Sequence, residues 1–139
     1  NMPFKNPATS NPKTPVQSFT VNTLLSGTDP ATATQYERFW TAPAKCVVDY
    51  FTLSYSVAST SGTVQLEKVP SGTAQGSGTN ILTGTVSTSS TANTNNTGTI
   101  STTAATAELA AGDALALVNG GTLTSLTDLC VTVGLHWIP

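Results

Sequence analysis

Serine-based hydrolysis needs a base beside the hydroxyl and a third group that orients the base. This chain has a single histidine to offer, His136. It falls within residues 128–139, where Leu129, Val131, Val133, Leu135 and Trp137 share one parity and Cys130, Thr132, Gly134 and His136 the other. A pleated strand collects the first set on a face that can be buried, which leaves His136 pointing outward. No Gly-x-Ser-x-Gly elbow is present. Serine and threonine are this chain's ordinary surface material, so their abundance carries no argument, and His136 reads as structural or exposed.

The other reactive groups are as scattered. Asp29, Glu37, Asp49, Glu67, Glu108, Asp113 and Asp128 stand apart, with no alternating acidic loop for calcium and no spacing that pairs two of them for glycoside hydrolysis. One histidine and two distant cysteines fall short of a four-ligand zinc site. Gly76-Ser77-Gly78 lacks the strand, third glycine and helix of a nucleotide loop. Asn95-Asn96-Thr97 fits a glycosylation acceptor, a chance match by default in a chain so rich in Asn and Thr. The expectation is no catalytic residue, no metal, no cofactor and no small-molecule ligand; the chain is not read as an enzyme.

Composition narrows the class further. A chain of 139 residues suits one domain and can bury roughly 70% of the surface of its unfolded form, so a core needs no metal or disulfide. Charged residues are 9% of the total, against about 25% in an ordinary soluble domain, so hydroxyls and amides must do the solvating. Threonine is β-branched as well as polar and suits the wet face of a sheet. Net charge is −2 and the five basic residues are not clustered, which argues against nucleic acid as a partner. No apolar run approaches the ~18 residues of a membrane span, and nothing resembles a signal peptide. Cys46 and Cys130 each fall in an expected strand, as two small buried thiols or, alternatively, a bridge between neighbouring strands.

The elements that would place these groups are strands. Starts are expected near Gln17, Tyr36, Lys45, Thr63, Thr79, Thr97, Gly112 and Asp128. In residues 45–59, Val47, Phe51, Leu53, Tyr55 and Val57 follow odd numbering, and Asp49 breaks the pattern; it is either wet near a strand end or paired. A turn at 59–62 leads, hairpin-like, into 63–69, where Val64 and Leu66 should point in and Gln65 and Glu67 out. Thr83-Gly84-Thr85-Val86-Ser87-Thr88 recurs as Thr97-Gly98-Thr99-Ile100-Ser101-Thr102, two similar strands joined by a polar loop and too few for a solenoid. Residues 103–111 have good helix propensity but too little length, and read as a strand end and a connection. Ala111-Gly112-Asp113 turns the chain into an apolar run at 114–118, and Asn119-Gly120-Gly121 should make the hairpin to the last strand. Short strands, frequent turns and no long amphipathic helix predict an all-β antiparallel sandwich over residues 17–139.

Tyr36, Phe39 and Trp40 crowd five positions; with Trp137 they either plug the end of the core or form a sugar-stacking platform. Residues 1–16 differ from everything after them. Pro3, Pro7, Pro12 and Pro15 bias the segment toward extended polyproline geometry, either a floppy terminus or a strap on a neighbouring subunit, with Phe4 as apolar anchor and Lys5 and Lys13 meeting acidic surface.

This combination resembles a family. The proline-rich arm, the Thr- and Ser-dominated sandwich, and residues 108–118, with their Leu-x-x-Gly-Asp-x-Leu-x-Leu pattern before a last apolar strand, look like small tailed-bacteriophage capsid decoration (cement) and head-fibre-base proteins with jelly-roll-like domains. The resemblance implies a virion protein on the outer surface of the capsid, assembled in the host cytoplasm. Its partners would be the major capsid protein and copies of itself, as a homotrimer. A carbohydrate-binding or adhesive module is the alternative, resting on the aromatic residues; an ice-binding surface would need a longer ladder than the two Thr-Gly-Thr echoes supply.

Overall fold

The computed structural model describes residues 18–28 and 36–139. Ten strands follow in order: β1 (Ser18–Thr28), β2 (Tyr36–Thr41), β3 (Cys46–Ser54), β4 (Thr63–Val69), β5 (Thr79–Asn80), β6 (Val86–Ser87), β7 (Asn96–Gly98), β8 (Glu108–Leu109), β9 (Ala114–Gly120) and β10 (Thr127–Trp137). They form two antiparallel sheets. The first runs β1-β10-β3-β7 with β8 also on β3, and the second β2-β9-β4-β5 with β6 also on β4. The chain crosses between the sheets from β1 to β2, β3 and β4 in turn and again from β9 to β10, while β4, β5 and β6 stay in the second sheet and β7 and β8 in the first. That is the strand order of a jelly roll, an all-β sandwich. The helix-prone stretch before β8 yields one turn of helix, α1 (Ala104–Ala107).

The inward faces follow the alternation of the sequence. In β10, Leu129, Val131, Val133 and Leu135 are sealed from solvent, and they meet Leu115 and Leu117 of β9 and Val64 and Leu66 of β4 from the opposite sheet. Each such side chain contributes roughly 1.5–3 kcal/mol on burial, so this interior is the main source of stability. One long-range contact ties the layers together at an end. Lys68 Nζ of β4 donates to the carbonyls of Ala105 and Glu108 at 2.7 and 2.9 Å, closing the C-terminal end of α1.

Two expected hairpins are crossovers instead. β9 and β10 lie in opposite sheets, as do β3 and β4, so neither Asn119-Gly120-Gly121 nor residues 59–62 join paired neighbours. Turn chemistry reports a reversal of direction but not which sheet receives the next strand. The distinguishing signal lies between the strands. Leu123 and Leu126 in the β9–β10 connection are fully buried, so that connection dives across the end of the core rather than over the surface. At the other crossover Ser59 Oγ accepts from Gly62 N and bonds Thr88 Oγ1, both at 2.8 Å, a buried polar knot that holds the turn.

Strand β4 also departs from expectation. Val64 and Leu66 face in, but Gln65 and Glu67 are not exposed: they are 7% and 2% accessible. The chain after β4 folds back over them. Gln65 Oε1 accepts from Leu82 N at 3.0 Å, and Glu67 Oε1 from Gly76 N at 2.9 Å. Gly78 passes so close that a Cβ there would lie 2.2 Å from the Lys68 carbonyl. The outer face of this sheet is thus roofed, and Val69, Ala114 and Ala116 form a small second core beneath.

The two Thr-Gly-Thr echoes become edges. β6 extends the second sheet and β7 the first, and the chains meet at the Leu82–Ile100 bridge and through Thr83 N to Thr99 O at 2.9 Å. They close one side of the sandwich. Cys46 and Cys130 are free thiols. Their places along the β3–β10 pair explain why: Cys46 of β3 lies opposite Trp137 and Cys130 of β10 opposite Ser54, seven residues apart along the ladder or roughly 23 Å. Burial, and secondarily Asp113, push the Cys46 thiol up to about 11. A thiol reagent at pH 8 should therefore label half-buried Cys130 first and Cys46 at least ~100-fold slower, with both reacting at once in denaturant. Equal native rates would contradict the burial of Cys46.

Candidate functional site

Most of β3 is a regular strand, but one residue is inserted where it passes β10. Gly134 pairs with Tyr50 and Leu135 with Val48, so Asp49 has no opposite number and the ladder bulges. The bulge switches the parity. Cys46 and Val48 face in before it, and Phe51, Leu53 and Tyr55 after it, while Val47 is only half-buried and Val57 is 46% exposed. The sequence pattern therefore places Val47 wrongly, because period-two counting assumes an unbroken ladder, and Val57 wrongly because the strand has ended at Ser54 before reaching it. What the bulge produces is two consecutive residues, Asp49 and Tyr50, on the same outer face.

Both side chains are held. His136, outward on β10 as its parity predicts, sets its Nδ1 2.8 Å from each Asp49 carboxylate oxygen. This is the paired reading of Asp49. Tyr50 lies across Gly134, where a Cβ would fall 1.9 Å from the Tyr50 ring, so only glycine lets the ring lie down on the strand. Beside them the surface sinks into a depression of about 550 Å³ lined by Ser18, Phe19, Thr20, Asp49, Tyr50 and Leu135. Tyr50 remains 43% exposed at its rim.

The β1–β10 register sets Ser18 opposite His136, and His136 in turn reaches the Asp49 carboxylate of β3, so a row of hydroxyl, imidazole and carboxylate groups spans three strands, though the backbone partner of His136 on β3 is Val47. Acyl transfer asks for more, namely donors aimed at the developing oxyanion in a water-excluded site. This row lies open on a sheet face, with the His136 and Asp49 side chains 29% and 41% accessible. The pair orients Asp49; as a solvent-accessible polar contact it contributes no more than about 1 kcal/mol to stability.

The aromatic residues divide. Phe19, Phe39, Trp40 and Trp137 pack partly buried against the core, with Phe19 stacked on Trp137 at 4.1 Å and tilted against Trp40 at 5.6 Å. They plug the side of the sandwich, one of the two roles their clustering allows. Tyr50, to which the sequence reading gave no role, is the ring left outside among the described residues. A second depression, about 310 Å³, runs between the echoes and is lined by Thr, Ser, Gly and Asn. Among the described residues no cluster of three metal-ligating side chains occurs and no helix is long and apolar enough to cross a membrane. The expected contact residues Phe4, Lys5 and Lys13 lie outside the described residues.

The fold has a counterpart among solved structures. The chain is similar to one chain of the "Cyanophage Pam1 capsid asymmetric unit", with a TM-score of 0.52 and 14% identity over 99% of this chain and 100% of that one. At that identity the likeness is one of fold. No family model and no curated protein sequence matches the chain.

Proposed function

We propose that this protein is a non-enzymatic structural component of a phage virion, a decoration protein that seats on the outside of the capsid and stabilises it. The observation that carries the reading is the end-to-end agreement of its jelly roll with a chain of a cyanophage capsid assembly, with neither molecule left over. The physical character of the surface supports it. Few charges limit the desolvation cost of broad contacts, and a rigid two-sheet body suits a clamp better than a moving active site. In this reading the body is residues 17–139 and the proline-rich segment 1–16 is the strap. Phe4 anchors it, and Lys5 and Lys13 meet acidic surface on the major capsid protein or a neighbouring copy. The working unit is a homotrimer, in which copies cover each other's sheet edges.

The test is cosedimentation. Purified protein mixed with undecorated capsid shells should pellet with them and raise the temperature at which they fall apart, and sedimentation equilibrium should return three times the 14.2 kDa chain mass. Deleting residues 1–16 should weaken shell binding by more than ~10-fold and leave the melting of the sandwich unchanged. Protein that stays in the supernatant across salt, pH and temperature refutes the capsid role.

A further inference from the structure

The outer face of the first sheet carries a feature that clamping a shell does not require. From the bulge at Asp49, the flat Tyr50 ring and the carboxylate fixed by His136, we infer a binding site for a neutral saccharide at the β1–β10–β3 depression. The two groups supply what recognition of a sugar ring needs. An aromatic face takes the apolar C–H face of a pyranose, and a carboxylate, an acceptor on both oxygens, takes hydrogen bonds from adjacent hydroxyls. Their rigidity strengthens the case. Tyr50 is laid on Gly134 by contact, and Asp49 is turned by a two-oxygen contact to His136, so neither must be ordered when a ligand arrives. The depression between them crosses the strands at Phe19 and Leu135, whose side chains turn into the core, and exposed Thr20 adds a hydroxyl opposite Gly134 on the neighbouring strand. Because His136 already engages the carboxylate, a neutral polyol fits this place better than a cation.

The bulge is the device that makes the site. In an unbroken ladder Asp49 and Tyr50 would face opposite sides of the sheet. The inference goes beyond the capsid reading, and its failure leaves that reading intact, since shell binding is measured separately.

The experiment is a titration of the full chain with methyl α- and β-glycosides of glucose, galactose and mannose, followed by saturation-transfer NMR and by tyrosine fluorescence. Saturable binding of at least one, with Kd on the order of 1 mM, is expected for a single-ring platform. Tyr50→Ala should weaken it at least ~10-fold, Tyr50→Phe less than ~3-fold, and Asp49→Asn about 10-fold. Val57→Ser, exposed elsewhere, should change nothing. If Tyr50→Ala does not fold, the contrast between Tyr50→Phe and Asp49→Asn decides. The inference is overturned if no glycoside binds up to ~50 mM, or if Asp49→Asn and Tyr50→Ala bind as well as the parent. Saturable binding of choline in place of every sugar overturns it as well. So does dissociation of an oligomer by Tyr50→Ala with no sugar bound, which would make this face a contact between copies.

Discussion

Phe51→Ala should destabilise the protein by about 3–5 kcal/mol, a third or more of the stability of a typical domain. Phe51 has no exposed surface and sits where three strands of the first sheet meet, its backbone opposite Val133 of β10 on one side and Gly98 of β7 on the other. The site cannot collapse to fill the space. Gly98 is already so close that a Cβ there would lie 3.0 Å from the Phe51 ring, and Leu82 and Val86 come equally near. Those neighbours are rooted in different segments of the chain, so a hole left by the ring persists. Thermal melting followed by circular dichroism should fall by roughly 10–20 °C, and the urea midpoint should drop with the slope unchanged. A loss under 1 kcal/mol would mean that the two sheets close more freely than this packing allows.

Gly121→Ala is the second large effect, with an expected loss of about 2–4 kcal/mol. Gly121 follows β9 at φ +69, and a Cβ there would be 2.2 Å from the Ser61 carbonyl oxygen. The left-handed backbone alone costs about 1–2 kcal/mol for an L side chain. The remainder comes from the contact, because the obstacle is backbone and cannot rotate away. Moving it strains the bonds that pair the two crossovers, Ser61 N to Thr122 O at 3.1 Å and Thr122 N to Ser61 Oγ at 3.2 Å. Gly112→Ala separates the two contributions. Gly112 also has positive φ, +93, but nothing lies within 4 Å of an added Cβ, so it should lose only about 1 kcal/mol. Equal losses in chemical denaturation of the two variants would remove the steric part of the argument.

The fold was legible where local rules suffice. Alternation at Leu129, Val131, Val133 and Leu135 put the right side of β10 in the core, and most strand starts fell within a few residues of their places. What local rules could not supply is which strand goes to which sheet. Asn119-Gly120-Gly121 looks the same before a hairpin and before a crossover; only buried Leu123 and Leu126 separate the cases, and single leucines in a polar loop are a faint signal. The roof over Gln65 and Glu67 was invisible for a related reason, since the pair is held by backbone N–H groups, those of Leu82 and Gly76, and a backbone donor leaves no mark in residue type.

The site was half legible. His136 was placed on the outer face, and pairing was one of two fates open to Asp49. Tyr50 was missed because its even number put it outside a strand whose inner set seemed complete, and a half-exposed ring there attracted no role. The clue was Asp49 itself. A carboxylate where an apolar residue is due marks either a functional residue or a slipped ladder, and here the slip places the carboxylate beside the ring.

The first sheet has a consequence for how the molecule comes into being. Its innermost members are β10 and β3, and β10 is the strand that bonds β1 to the rest. During synthesis β1 emerges early and finds its hydrogen-bonding neighbour only after roughly a hundred further residues, so no stable half-product is available along the way. A ribosome that stalls before Thr127 releases a chain without its keystone, and such a fragment has no route to a finished body. Closure of this sheet therefore waits for the last strand to be made.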